Sequence, residues 1–129
     1  LNIFLFDTDI LIDHLKGKSA ATIFLKNCLD SKAKLACSVI TEIEILSGMV
    51  EEEKNQIERF LSGFERIEVN LDIARIAGLY MNQYRKSHNV NIADAIIAAS
   101  AKYARTSLYT LNKKQYPMSD IEIIKPYHK

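Results

Sequence analysis

Four side chains in this sequence carry oxygen donors where a short apolar run gives way to a helix or a turn. Asp7 closes the run Ile3-Phe4-Leu5-Phe6. Glu44 stands in the first turns of the helix expected after Leu35-Ala36-Cys37. Asp94 falls in the first turn of a helix expected over residues 92–105, and Asn112 follows Leu108-Tyr109-Thr110. Each alone has an ordinary use. Asp7 can cap a helix. Thr41-x-x-Glu44 and Asn91-x-x-Asp94 fit, or nearly fit, a capping box, and Asn112 can cap a short turn through Tyr116. Together they ask for more. Several carboxylates on one rim repel each other, and burying them unpaired is costly. A hard divalent cation removes that cost. Mg²⁺ typically takes one or two carboxylates, with waters and phosphate oxygens completing its shell. No Arg or Lys of the same motifs matches the acids, so the set reads as a metal site.

That chemistry requires the four to meet, and the elements between them say how. Apolar runs of this length, rich in Ile and Phe, read as strands buried on both faces. Strands are expected at 3–6, 35–37, 66–69, 108–110 and 121–124. Helices are expected at 10–17, 20–30 with Ile23, Phe24 and Leu29 inward, 38–46 ending at Gly48, 51–60, 71–87 and 92–105. Helix 71–87 carries Ile73, Ile76, Ala77, Tyr80 and Tyr84 at helical spacing. Helix 92–105 carries small residues suited to close packing. Alternating strands and helices indicate a mainly parallel sheet of about five strands, covered on both faces. In a parallel sheet, strand ends and the starts of the following helices share one rim, which is where ligands bind in such folds.

Bulk composition sets the frame. The chain has 129 residues, 48% of them hydrophobic, which suits a single domain over 1–129 with a substantial core. Charged residues interrupt every apolar stretch, so no membrane span is expected. Leu1-Asn2-Ile3 lacks the basic region and cleavage site of a secretory signal. Two cysteines without a C-x-x-C pattern fit reduced thiols in a cytoplasmic protein. The net charge is +1. Any affinity for a phosphate backbone must therefore come from a local patch or a bound cation. His14, His88 and His128 are too scattered for a zinc site.

Four motifs, taken in order, resemble the PIN-domain ribonucleases, in particular the VapC toxins of bacterial toxin–antitoxin pairs. They are Phe6-Asp7-Thr8-Asp9-Ile10-Leu11-Ile12-Asp13; Ser38-x-Ile40-Thr41-x-x-Glu44-Ile45-x-x-Gly48; Ile92-Ala93-Asp94-Ala95-x-Ile97-Ala98-Ala99; and Leu108-Tyr109-Thr110-Leu111-Asn112. The resemblance covers essentially the whole chain and implies an α/β/α sandwich. It also selects Glu44 over Glu42. A two-residue step on a helix turns by roughly 200°, so the two cannot face one ion equally. The family's fourth position is Asp or Asn, here Asn112, and Gln115 stands where many relatives carry another Asp. Both changes weaken the case for a tightly held second metal.

By resemblance, Asp7, Glu44, Asp94 and Asn112 are the catalytic set, with Asp7 and Asp94 holding Mg²⁺ or Mn²⁺ most directly. The ion would bind a phosphate oxygen and lower the pKa of a water that cleaves RNA in line. Thr8 and Ser38 are placed to orient carboxylates or waters, or to make ordinary turn and cap hydrogen bonds. Lys113 and Lys114 are placed to meet flanking phosphates. The implied partners are an RNA substrate, an antitoxin protein and a second copy of the chain. Two other readings remain. One is a binding protein with a degenerate site, kept open by Asn112 and Gln115. The other is a haloacid-dehalogenase-type phosphatase using Asp7 as nucleophile. Against the latter, Ile10-Leu11 replaces the usual Gly-Thr, and no later acidic pair follows a Lys in the required order.

Overall fold

Strand β1 (Ile3–Phe6) is the axis of the computed structural model, which describes residues 2–128. It is followed by α1 (Thr8–Leu15), α2 (Ser19–Asp30), β2 (Lys34–Ser38) and α3 (Val39–Ser47). A 3-10 turn (Glu51–Glu53) leads into α4 (Lys54–Leu61) and β3 (Glu65–Ile67). The long hairpin of α5 (Leu71–His88) and α6 (Ile92–Ala104) precedes β4 (Leu108–Tyr109), a second 3-10 turn (Lys113–Gln115) and β5 (Ile123–Ile124). The sheet order is β3-β2-β1-β4-β5, and every pairing is parallel. Chain order runs outward from β1 in one direction through β2 and β3, then restarts on its other side with β4 and β5. The gap between the ends of β1 and β4 is thus a switch point, where a parallel sheet leaves a crevice at its carboxyl edge. Register places Leu5 beside Leu108 and Phe6 beside Tyr109. The residues that follow each strand, Asp7 and Thr110, therefore emerge side by side.

Two apolar layers sandwich the sheet. On one face Leu5, Ala36 and Leu108 pack against Ile73, Ala77 and Tyr80 of α5 and Ala95, Ala98, Ala99 and Ala101 of α6. On the other, Phe6, Leu35 and Cys37 pack against Ile10, Leu11, Leu25, Cys28, Ile45, Ile57 and Leu61 of α1 to α4. Phe6 anchors this second layer with edge-on rings of Phe24 and Phe64. Such aromatic contacts contribute beyond their buried area.

Capping fixes where the hairpin helices begin and end. Asn70 Oδ1 accepts the N–H of Ile73 at 2.8 Å, and Asn91 Oδ1 accepts that of Asp94 at 2.8 Å. The helices finish at Asn89 and Arg105, both left-handed, with φ of 52° and 55°. The inward side of α2 differs from the sequence expectation. Ala21, Leu25 and Cys28 are buried, at steps of four and three, while Ile23 and Leu29 are more than half exposed. A stripe of modest residues at the right spacing outweighs two larger ones off it. β3, β4 and β5 are also shorter than the apolar runs suggest. Cys28 and Cys37 are free and buried, and burial pushes their thiols up to about 11 and about 12.

Candidate active site

Asp7 leaves β1 with an extended backbone (ψ 157°), and its N–H still donates to the Tyr109 carbonyl at 2.8 Å. The ladder thus holds the residue at the switch point. Its carboxylate is buried, 7% exposed, and heavily engaged. Oδ1 accepts the N–H of Thr8 at 2.7 Å, so part of the capping role is real. Oδ2 accepts the hydroxyls of Thr110 at 2.7 Å and Tyr116 at 2.9 Å. Burial raises the carboxyl above its ordinary value, and the hydrogen bonds offset part of that rise.

Asp94 reaches the same place from the first turn of α6. Asn91 caps its backbone N–H, and its own carboxylate projects to the rim. Its Oδ1 lies 3.5 Å from the Tyr116 hydroxyl. Burial, then the charges of Asp7 and Glu44, push its pKa up to about 6. Glu44 arrives from α3 on the exposed side of the rim. The Thr8 hydroxyl donates to its Oε1 at 2.6 Å. Thr8 also lies 2.9 Å from the buried hydroxyl of Thr41. Thr41 therefore makes no capping box with Glu44; Ser38 caps α3 instead, accepting the Ile40 N–H at 3.1 Å. Among the described residues the hydrogen bond of the Ser38 side chain is this cap, whereas Thr8 joins Asp7 to Glu44. Glu42 turns away and pairs with Arg66 at 2.7 Å.

Asn112 sits beside the rim rather than in its hydrogen-bond network. Its backbone N–H donates to Thr110 Oγ1 at 3.1 Å, and its side chain makes no cap for the turn that follows. Lys113 and Lys114 continue that turn and are exposed.

Two residues of the network, Thr110 and Tyr116, have no site role in the sequence reading, and a third, Asp9, enters it only as the acid beside Asp7 in the phosphatase alternative. Thr110 is completely buried and supplies a hydroxyl to two acids, Asp7 and Asp9. A polar residue ending an apolar strand was its available signal. Tyr116 carried no such signal, because nothing in its local sequence announces a phenol folded back on Asp7. Burial, with the charges of Asp7 and Asp94, holds its hydroxyl firmly protonated. Asp9 Oδ2 accepts the Leu111 N–H at 3.0 Å. Its Oδ1 is buried with no hydrogen-bond partner. Burial and the charge of Asp7 push Asp9 up to about 6.

The rim thus collects Asp7, Asp9, Asp94 and Glu44 with no cation of its own. Among the described residues the ion pairs lie elsewhere, at Lys34–Glu65, Arg66–Glu42 and Lys102–Asp120. This all-oxygen donor set, charge-frustrated and with an orphaned buried oxygen at Asp9, fits a hard divalent cation. Among the described residues, no three Asp, Glu, His or Cys side chains are already drawn into a closed ion cage. The site suits an ion shared between two carboxylates and outside oxygens rather than one enclosed by protein.

The chain is similar to known proteins over most of its length. The PIN domain family matches residues 4–120. Ribonuclease VapC10 of Mycobacterium tuberculosis is 38% identical over 123 residues, covering 95% of this chain and 90% of its own. Ribonuclease VapC19 of the same organism is 36% identical over 115 residues, covering 88% and 92%. A toxin–antitoxin complex from Klebsiella pneumoniae contains a chain with 32% identity and a TM-score of 0.76, matched over 98% of this chain and 99% of that one.

Proposed function

The chain belongs to the PIN-domain family, and from that membership we propose that it is a divalent-cation-dependent endoribonuclease, the toxin of a toxin–antitoxin pair. One observation carries the reading. The Tyr116 hydroxyl lies within reach of both Asp7 and Asp94, so two acids 87 positions apart in sequence face one point that no Lys or Arg neutralises.

In this reading Asp7 and Asp94 hold Mg²⁺ or Mn²⁺, with Glu44 and Asn112 as further or water-mediated donors. The bound cation would supply polarisation of a phosphate oxygen and acidification of the attacking water. The remaining work belongs to the chain. Thr8 fixes Asp7 through its N–H and Glu44 through its hydroxyl, which sets the spacing between the two acids. Thr110 holds Asp7 Oδ2, and the Leu111 N–H, donating to Asp9 of α1, keeps the β4 loop against that helix. Lys113 and Lys114 take flanking phosphates. Hydrolysis leaves a 5′-phosphate and a 3′-hydroxyl, without a covalent enzyme intermediate.

Because the named relatives are ribonucleases and the Klebsiella structure is a toxin–antitoxin complex, the proposed partners are RNA and a cognate antitoxin. A second copy of the chain and a cytoplasmic location complete the proposal. No helix among the described residues is long and apolar enough to cross a membrane. The decisive experiment incubates the chain with structured RNA and Mg²⁺ or Mn²⁺. Cleavage should require the cation and fall on the order of 100-fold or more in Asp7→Ala. Absence of cleavage, or cleavage indifferent to that substitution, removes the nuclease. Intact antitoxin binding without Mg²⁺ or Mn²⁺ binding would favour the degenerate binding protein, for which the neutral Asn112 speaks.

A further inference from the structure

The Tyr116 hydroxyl does more than pack. Its ring is buried, 4% exposed, and among the described residues its hydroxyl meets the two acids assigned to the cation: it donates to Asp7 Oδ2 at 2.9 Å and lies 3.5 Å from Asp94 Oδ1. Asp7 Oδ2 also accepts Thr110 at 2.7 Å, so both in-plane lone pairs of that oxygen are taken. Asp7 Oδ1 has already given one to the N–H of Thr8. The phenol therefore stands where a positive charge is wanted and supplies the nearest neutral substitute, a polarised O–H. A cation that uses Asp7 Oδ2 must displace one of two hydroxyls. Thr110 is locked by a second role, accepting the Asn112 N–H and reaching Asp9. Tyr116 has no such second tie. It is also carried by the chain just after the 3-10 turn Lys113–Gln115, in an irregular stretch, rather than by a strand or helix.

We propose that Tyr116 is a positioning residue of the metal site: its hydroxyl donates to Asp7 Oδ2, within 3.5 Å of Asp94, and competes with Mg²⁺ or Mn²⁺ for that oxygen. This rests on the metal-site reading above. The hydroxyl has a single proton to give, and it goes to Asp7. Hydrogen bonds to a charged group are among the stronger ones in proteins, so the competition is large enough to measure.

Calorimetric titration with Mn²⁺ at pH 8, above the values near 6 of Asp9 and Asp94, tests it on the native chain, Tyr116→Phe and Asp7→Ala. The phenylalanine variant is expected to bind the ion about tenfold more tightly, and Asp7→Ala not at all. Equal or weaker binding by Tyr116→Phe, with its thermal midpoint within a few degrees of native, overturns the proposal and makes the hydroxyl a support for the bound ion. If neither native chain nor Tyr116→Phe binds, the metal site itself falls, and this proposal with it. An optical readout separates displacement from simple packing. The chain has six tyrosines and no tryptophan, so diamagnetic Mg²⁺ should change the tyrosine emission of the native chain as the phenol leaves Asp7 Oδ2. That change should be absent in Tyr116→Phe; its persistence there also overturns the proposal.

Discussion

At the scale of single residues, the site is defined by acids whose protons are held too tightly. Asp94 and Asp9 both titrate near 6 instead of 3.8. The folded state thus binds protons that the unfolded chain has already released, and stability must decline as pH rises from about 4 through about 6. Without divalent cation, the thermal midpoint should be higher at pH 5 than at pH 8, and added Mn²⁺ should recover the loss at pH 8. A scan showing no pH dependence in chelator would contradict the burial of these charges. Asp94→Asn removes one of them. At pH 8 in chelator it should stabilise the chain by on the order of 1 kcal/mol, a figure discounted for the partly exposed side chain, while RNA cleavage is lost. The sequence made Asp7, Glu44 and Asp94 legible because acids at strand ends and helix starts follow a positional rule. It hid Tyr116 and Thr110, because hydrogen bonds spanning more than a hundred residues obey no local pattern.

At the scale of elements, α6 sets the position of Asp94, and its small residues set the position of α6. Ala95, Ala98, Ala99 and Ala101 are all completely buried, which lets the helix lie close to the sheet and to α5. Ala98→Leu should therefore cost roughly 1–3 kcal/mol by overpacking, measured by urea unfolding. It should also weaken cation binding, because the helix can relieve strain only by moving Asp94 off the rim. Unchanged stability would mean that the interface has room to spare. Periodicity makes this element plain from the sequence, since Ala95, Ile96, Ala98, Ala99 and Tyr103 recur at helical spacing. It misjudged α2, where Ile23 and Leu29 face solvent. Side-chain size drew attention away from the Ala21, Leu25, Cys28 stripe.

At the scale of the whole molecule, a net charge of +1 gives little general attraction for RNA, and the acidic rim gives less. Affinity must be local, and Lys113-Lys114 is an exposed basic pair that directly follows Asn112. Replacing both with Ala in a cleavage-dead background should weaken RNA binding and lower the slope of log affinity against log salt by about 1 to 1.5. An unchanged slope would put the phosphate contacts elsewhere. The same scale reveals a consequence of the sheet's strand order. Asp7 and its two hydroxyl partners stand 103 and 109 residues apart along the polypeptide. A growing chain therefore carries Asp7 long before it carries Thr110 and Tyr116, and it has no assembled centre until the stretch bearing Tyr116 has left the ribosome. For a protein proposed to cut RNA, this is a built-in delay.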